Sequence, residues 1–286
     1  MKVEVVAWSR PARAAALFLQ SLAVFNVLYL AAHLMEGVLE GMDTAPPHVV
    51  ALGLLLFSAF PLILVALLRR GFQGTLEVDP PRIVLTLRGV RFEIPIESVS
   101  ALRPWRLPFP DAGVVLVMKS GKPFSNALAA SPPGEFASLL ADALPAALSA
   151  VDELLRHGAL AYAAAKRELG RRGKVFHAVK YGLIPLGLAV IGFRLKQIIM
   201  FGGPFGQYRI YGLVPYLRSF AEMWAGYASE LLVYAAVWRI AVELVALPLT
   251  LALPARARGV RRGAEITCFV AYFVLIPAFV LFLFLR

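Results

Sequence analysis

Arg194 and Lys196 stand near the end of one apolar segment, and Arg239 and Glu243 lie inside the next, so charge sits where hydrocarbon is expected. Ionisable groups within a membrane span are expensive and mark bundle interiors, cavities or partner contacts. The chemistry on offer is therefore ion pairing, anion recognition or a polar pathway. Arg239 and Glu243 are spaced i, i+4 and can neutralise each other along one helix face, which is the preferred reading of that pair. The same two residues, with Glu230 nearer the outer end of the segment and with Arg194 and Lys196, form the alternative, a polar pathway. Arg194 and Lys196 also join Arg209 and Arg218 in a basic, aromatic outer surface. Its counter-charge is expected from Glu222 and Glu230, or from an anionic headgroup or acidic partner surface. Long basic side chains can also snorkel to headgroups from a short span.

Two smaller clusters complete the candidates. Arg103, Trp105 and Arg106, with Phe109, combine cations and rings, a composition suited to a lipid surface or a partner; a buried Trp105 with solvated arginines is the competing expectation. His33, Glu36 and Glu40 share a helix face if the first helix continues past Met35, and an imidazole with carboxylates can hold a divalent ion. An ordinary hydrated acidic loop is the preferred explanation, because spacing of this kind arises easily. The sequence holds no phosphate-binding glycine loop, nucleophile elbow or metalloprotease histidine pair, so no catalytic residue and no cofactor is expected.

The elements that position these residues follow from composition. A chain of 286 residues that is 59% hydrophobic, 16% charged and of mean hydropathy +0.72 has the bilayer as its main solvent. Its net charge of +11 gathers beside apolar segments. That placement points to anionic lipid and away from nucleic acid. The single Cys268 excludes an intramolecular disulfide framework.

Five spans are expected: Ala14 to Met35, Val49 to Leu68, His177 to Met200, Gly226 to Leu253 and Glu265 to Leu285. Basic flanks at Lys2, Arg10 and Arg13, at Arg69 and Arg70, and in the loop Pro254 to Gly263 set the cytoplasmic side. The N-terminus is then cytoplasmic, and the C-terminus and an outer loop at 201–225 lie outside, in what is expected to be a bacterial inner membrane.

Between the second and third spans the texture changes. Thr75 to Val78, Arg82 to Leu87, Val90 to Ile94 and Gly113 to Met118 read as strands, with turns at Asp79-Pro80-Pro81, Arg88-Gly89 and Ser120-Gly121-Lys122. A helix is expected over Glu135 to Leu144. A further stretch, Ala146 to Lys174, reads as a connector or as an amphipathic helix on the inner leaflet. The stretch RFEIPIESVSALRP, the strand GVVLVMKSG and the closing helix with Phe136 and Leu140 resemble the bacterial pleckstrin-homology-like domain over about 72–148. The resemblance implies a seven-stranded curved sheet capped by a helix, and no catalytic residues.

The chain thus reads as an α-helical polytopic membrane protein with a small cytoplasmic β-rich insert between helices 2 and 3. Its regions are an N-terminal hairpin at 1–70, the insert at 71–148, the connector at 149–175 and a three-helix membrane region at 176–286. The expected role is a non-enzymatic scaffold, assembly factor or accessory subunit, with membrane lipids and a protein of a membrane complex as partners. A lipid-handling or transport protein is the alternative, and a membrane-embedded enzyme comes third.

Overall fold

The computed structural model describes residues 2–40, 46–130, 156–170 and 173–278. It begins with a strand that the sequence reading did not foresee. In β1 (Lys2–Ser9), Val3, Val5 and Ala7 point to one face and Val6 and Trp8 to the other, and all five are buried. A strand covered on both faces shows little polar alternation, and here its basic neighbours disguise it as the flank of a span.

The remaining strands are β2 (Gln73–Asp79), β3 (Arg82–Leu87), β4 (Val90–Pro95), β5 (Val99–Pro104), β6 (Val114–Met118) and β7 (Asn126–Ala130). They form one antiparallel, curled half-barrel of seven strands in the order β4-β3-β2-β1-β7-β6-β5. Two meanders, β2 to β4 and β5 to β7, are therefore joined through β1, which pairs Lys2 with Glu77 on one side and Val5 with Ala130 on the other. The Arg88-Gly89 turn carries φ values of +49° and +83°, the two left-handed residues that a tight hairpin needs. Three strands went unread for local reasons. β1 sits ahead of a helix, β5 was absorbed into a turn, and β7 has the alanine-rich sequence NALAA that favours helix in isolation.

The helices are α1 (Arg10–Glu40), α2 (Pro47–Leu54), α3 (Phe60–Gly71), α4 (Gly158–Leu169), α5 (Lys174–Ala178), α6 (Ile184–Phe201), α7 (Gly206–Tyr211), α8 (Leu213–Ala252) and α9 (Ala257–Val270). Single π-helical segments at Leu55–Ala59 and Val179–Leu183 carry α2 into α3 and α5 into α6. Among the described residues four helical stretches are long and apolar enough to cross a membrane: Arg10–Gly37, Pro47–Gly71, Val175–Phe201 and Leu213–Ala252. The expected fifth span lies partly outside the described residues, and the expected closing helix Glu135 to Leu144 lies wholly outside them. α8 runs for 40 residues. At 1.5 Å per residue this is about 60 Å, twice a hydrocarbon core, so the second half of the expected outer loop 201–225 is helix.

The chain divides into two units. The first comprises Met1–Ser21, Pro61–Arg171 and Val242–Val270. Its half-barrel is filled by Val5, Leu76, Ile83, Leu85, Leu116 and Leu128, with Leu160 of α4 inserted among them. On the opposite face Val6 and Trp8 pack with Ala12 and Ala16 of α1, Val65 of α3, and Trp105. The two ends of the helical hairpin are thus packed against the strand that precedes it.

The second unit comprises Leu22–Phe60, Arg172–Ala241 and Ala271–Arg286. Its α1 segment meets the π turn through Asn26, whose Nδ2 donates to Ser58 Oγ at 2.8 Å and to Gly53 O at 3.1 Å. In hydrocarbon such polar contacts hold helices together. Large apolar side chains on α1 and α6 are open, with Phe25 69% and Ile199 77% exposed, as on helices long and apolar enough to cross a membrane.

Candidate functional site

The densest polar cluster in the first unit is built from three helices. Arg261, in the second turn of α9, is buried with 2% of its side chain exposed. Its Nη1 donates to Glu243 Oε1 of α8 at 2.7 Å and its Nη2 to Glu265 Oε1 at 2.6 Å, one turn further along α9. From α4, Tyr162 donates its hydroxyl to Glu243 Oε2 in a short hydrogen bond, and Lys166 Nζ lies 3.5 Å from Glu243 Oε1. Arg261 and Lys166 thus face Glu243 and Glu265, and pairing of this kind is the condition for keeping such charges out of water. An outer pair, Arg258 with Glu168 at 3.1 Å, ties α9 to α4 at the surface.

This arrangement revises the expectation for the loop Pro254 to Gly263. Only Pro254–Arg256 forms a short 3-10 turn; Arg261 belongs to a helix and its charge is spent inside the protein. Glu243 gains Tyr162, Lys166 and Arg261, none of which sequence spacing relates to it. Tyr162 and Lys166 are spaced i, i+4 on α4, so a periodicity reading could have put them on one face, but not opposite Glu243. α4 itself buries Ala159, Leu160, Tyr162 and Ala165 in protein. Over Gly158–Leu169, therefore, its apolar face does not lie on a leaflet. The remaining residues of the expected connector, other than Arg156, His157, Gly170, Gly173 and Lys174, lie outside the described residues.

Arg194 and Lys196 are not neutralised as one of the two expectations had it. Arg218 pairs with Glu222 at 2.9 Å along α8, and among the described residues no ion pair joins Arg194 or Lys196 to Glu222 or Glu230. Arg194 instead lies 5.3 Å from the centre of the Phe205 ring. Lys196 and Arg209 are exposed. What organises this region is a pair of neutral amides. Gln197, fully buried, donates from Nε2 to Gln207 Oε1 at 2.8 Å and accepts from Gln207 N at 3.1 Å, while Gln207 Nε2 reaches Ser219 Oγ at 2.8 Å. Gly202, at φ +69°, ends α6 and begins the turn that these amides clamp. Charge marks candidates in a sequence and amides do not, so this clamp left no signal.

In the first unit, Trp105 is buried at 4% exposure and leaves the set of surface-binding residues, whereas Arg103 and Arg106 are exposed. The Arg13 guanidinium stacks 3.8 Å above the Trp105 ring. His33 lies 3.9 Å from Glu36, but among the described residues no group of three His, Cys, Asp or Glu side chains converges, so Glu40 does not complete a metal site. Arg239 and Glu230 lie on α8, Arg239 half-buried and Glu230 exposed.

These features define a mostly helical protein with four helices long and apolar enough to span a membrane and an antiparallel β half-barrel. Compared with protein-family models, with curated proteins and with solved structures, the chain matches none of them.

Proposed function

We propose that the chain is a non-enzymatic integral membrane scaffold or accessory subunit of a bacterial inner-membrane complex. Its half-barrel is a pleckstrin-homology-like platform held against the cytoplasmic face. The N-terminus is cytoplasmic and the C-terminus lies outside. The observation that carries this reading is the position of β1. Because the central strand precedes the hairpin and the other six follow it, the sheet and both ends of the hairpin belong to one unit. The seven strands and their order support the pleckstrin-homology-like assignment. A platform fixed by its central strand, by Leu160 of α4 and by the Arg261–Glu243 cluster suits presentation of a surface, with no chemistry asked of it. Basic residues at Arg10, Arg13, Arg69 and Arg70 support the cytoplasmic side.

The edge strand β4 offers the partner contact: Val90 and Phe92 are 55% and 39% exposed on a strand whose outer edge has no strand partner among the described residues. The test is purification of the full chain in mild detergent with a photo-crosslinking residue at Phe92. A stoichiometric partner, lost on Val90→Glu with Phe92→Glu while the protein stays folded, is the expected result. Substrate flux through liposomes containing the purified chain alone, abolished by Glu243→Gln, would replace this reading with the transport alternative.

A further inference from the structure

A cavity of about 250 Å³ opens where the half-barrel meets the first turns of α1. It lies wholly within the first unit. Three arginines line it: Arg10 and Arg13 from α1, and Arg103 from β5. Ser9 and Ser125 add hydroxyls, and Trp8 contributes an apolar wall. Among the described residues no carboxylate lines it. The nearby acid Asp111 is already engaged by Arg69 at 3.2 Å and by Trp8 Nε1 at 3.2 Å.

The placement opposes ordinary helix electrostatics. The first turn of α1 holds no acidic residue, and Arg10 and Arg13 stand at the positive end of a 31-residue helix, where anions are favoured and cations disfavoured. The positive-inside bias alone accounts for two arginines flanking a span. It does not account for Arg103, which reaches the same cavity from a sheet strand far away in sequence. Nor does it account for the way Arg13 is held. Its guanidinium is stacked on Trp105, and Nε donates to Phe109 O at 3.3 Å. The terminal nitrogens are thereby fixed in place, with no acceptor among the described residues. A planar, pre-oriented guanidinium is the group that recognises phosphate through paired hydrogen bonds. Among the described residues neither Arg10 nor Arg103 has an ion-pair partner.

We infer that this cavity binds a phosphate group, and that the group is the headgroup phosphate of an anionic phospholipid. The volume falls just below the usual range for whole small-molecule ligands, about 300–1,000 Å³, and so suits a headgroup whose acyl chains remain outside. The cavity also lies at the end of a helix apolar enough to span, where headgroups would be. The lipid as source rests on the membrane-face reading proposed above; the phosphate chemistry rests on the cavity alone.

The experiment uses the delipidated full chain in micelles, titrated with phosphatidylglycerol, with phosphatidylcholine, and separately with inorganic phosphate, followed by native mass spectrometry. Phosphatidylglycerol is expected to bind at least about tenfold more tightly than phosphatidylcholine. Arg103→Gln is expected to weaken it about tenfold or more, as loss of a charge-assisted contact does. Arg91→Gln, exposed on β4 and outside the cavity, should leave it unchanged, and Arg103→Lys should restore part of the affinity. Saturation by inorganic phosphate with the same Arg103 dependence, and without lipid preference, assigns a soluble source to the same chemistry. Equal binding of the two lipids with no phosphate binding overturns the inference, as do equal effects of Arg103→Gln and Arg91→Gln. If Arg103→Gln alters elution or melting, Arg10→Gln takes its place with the same expectations. Failure here leaves the crosslinked partner of β4 intact, and failure to find that partner leaves the phosphate titration intact.

Discussion

Arg261 Nη1 lies 2.7 Å from Glu243 Oε1, joining the C-terminal part of α8 to α9 through a side chain that is almost wholly enclosed. The same guanidinium reaches Glu265 through Nη2 at 2.6 Å. Arg261→Met removes the guanidinium from two partly buried carboxylates. Removing one member of such a pair typically costs about 3–5 kcal/mol. A fall in the thermal unfolding midpoint in detergent is expected. Arg261→Lys should recover only part of it, because a point charge cannot serve both carboxylates as a planar fork does. Adding Glu243→Gln and Glu265→Gln to Arg261→Met should recover more. A wild-type midpoint for Arg261→Met would falsify the structural role of the cluster.

Gly158 opens α4 where that helix passes close to the end of α8. A Cβ at this position would stand 2.6 Å from Leu251 Cα and 3.0 Å from both Leu251 O and Thr250 O, all backbone atoms that cannot turn aside. Gly158→Ala should therefore destabilise the first unit by about 1–3 kcal/mol, although alanine is the better helix former. Gly263 of α9 has open space around its Cβ direction. There the same substitution should stabilise by about 0.5–1 kcal/mol. Opposite signs in two melting curves test the close approach against simple helix propensity.

Why some of this was legible in sequence and some was not follows from the range of the interactions. The long apolar runs were plain because lipid asks only for continuous hydrophobicity, and β3 matched its expected bounds, Arg82 to Leu87, because a Pro-Pro turn and an Arg-Gly turn frame it. β1 was hidden because its partners lie in β2 and β7, across the whole hairpin. The Glu243 cluster was hidden for the same reason: Tyr162 is 81 residues away in sequence. Spacing rules reach one or two helical turns, so they offered Arg239 as the neighbour of Glu243 and were silent about α4. Arg10, Arg13 and Arg103 were each visible as charges, but only the fold brings them to one cavity.

Glu93 on the edge strand β4 accepts a short hydrogen bond from Arg82 and lies 3.1 Å from Arg91. The Arg82 contact holds its carboxyl below the ordinary glutamate range. A depressed folded value contributes stability above the unfolded pKa, near 4.3, and that contribution is lost as pH falls through the lowered folded value. Arg82→Gln should move the Glu93 titration upward, read by carboxyl-carbon NMR of the labelled protein. Since the group is fully exposed, the unfolding midpoint at neutral pH should hardly change. An unchanged Glu93 titration in Arg82→Gln would assign the shift to something other than this pair.

The role of β1 yields the most demanding expectation. Val6 and Trp8 hold the bases of α1 and α3, while Val3, Val5 and Ala7 complete the half-barrel interior. Ala7 also donates its amide to Phe72 O at 2.9 Å, just where the hairpin returns to the sheet. Lys2 and Glu77 are direct neighbours in the ladder although about seventy residues, including both hairpin helices, separate them. Both ends of the hairpin must then lie on one side of any membrane it crosses. With Cys268 replaced by Ala, single cysteines at Lys2 and at Lys119 should react with an impermeant maleimide from the same side of sealed vesicles, and from that side alone. Labelling from opposite sides would contradict the ladder. Removing residues 2–9 should leave the hairpin inserted but part the meander β2 to β4 from β5 to β7, since β1 is the strand that joins them. Limited proteolysis should then cut faster at Arg88 and Lys119, exposed turn residues whose flanking strands the intact sheet keeps paired. If the truncated chain resisted protease like the full one, the two meanders would be able to close on each other, and β1 would be an accessory to the half-barrel instead of its centre.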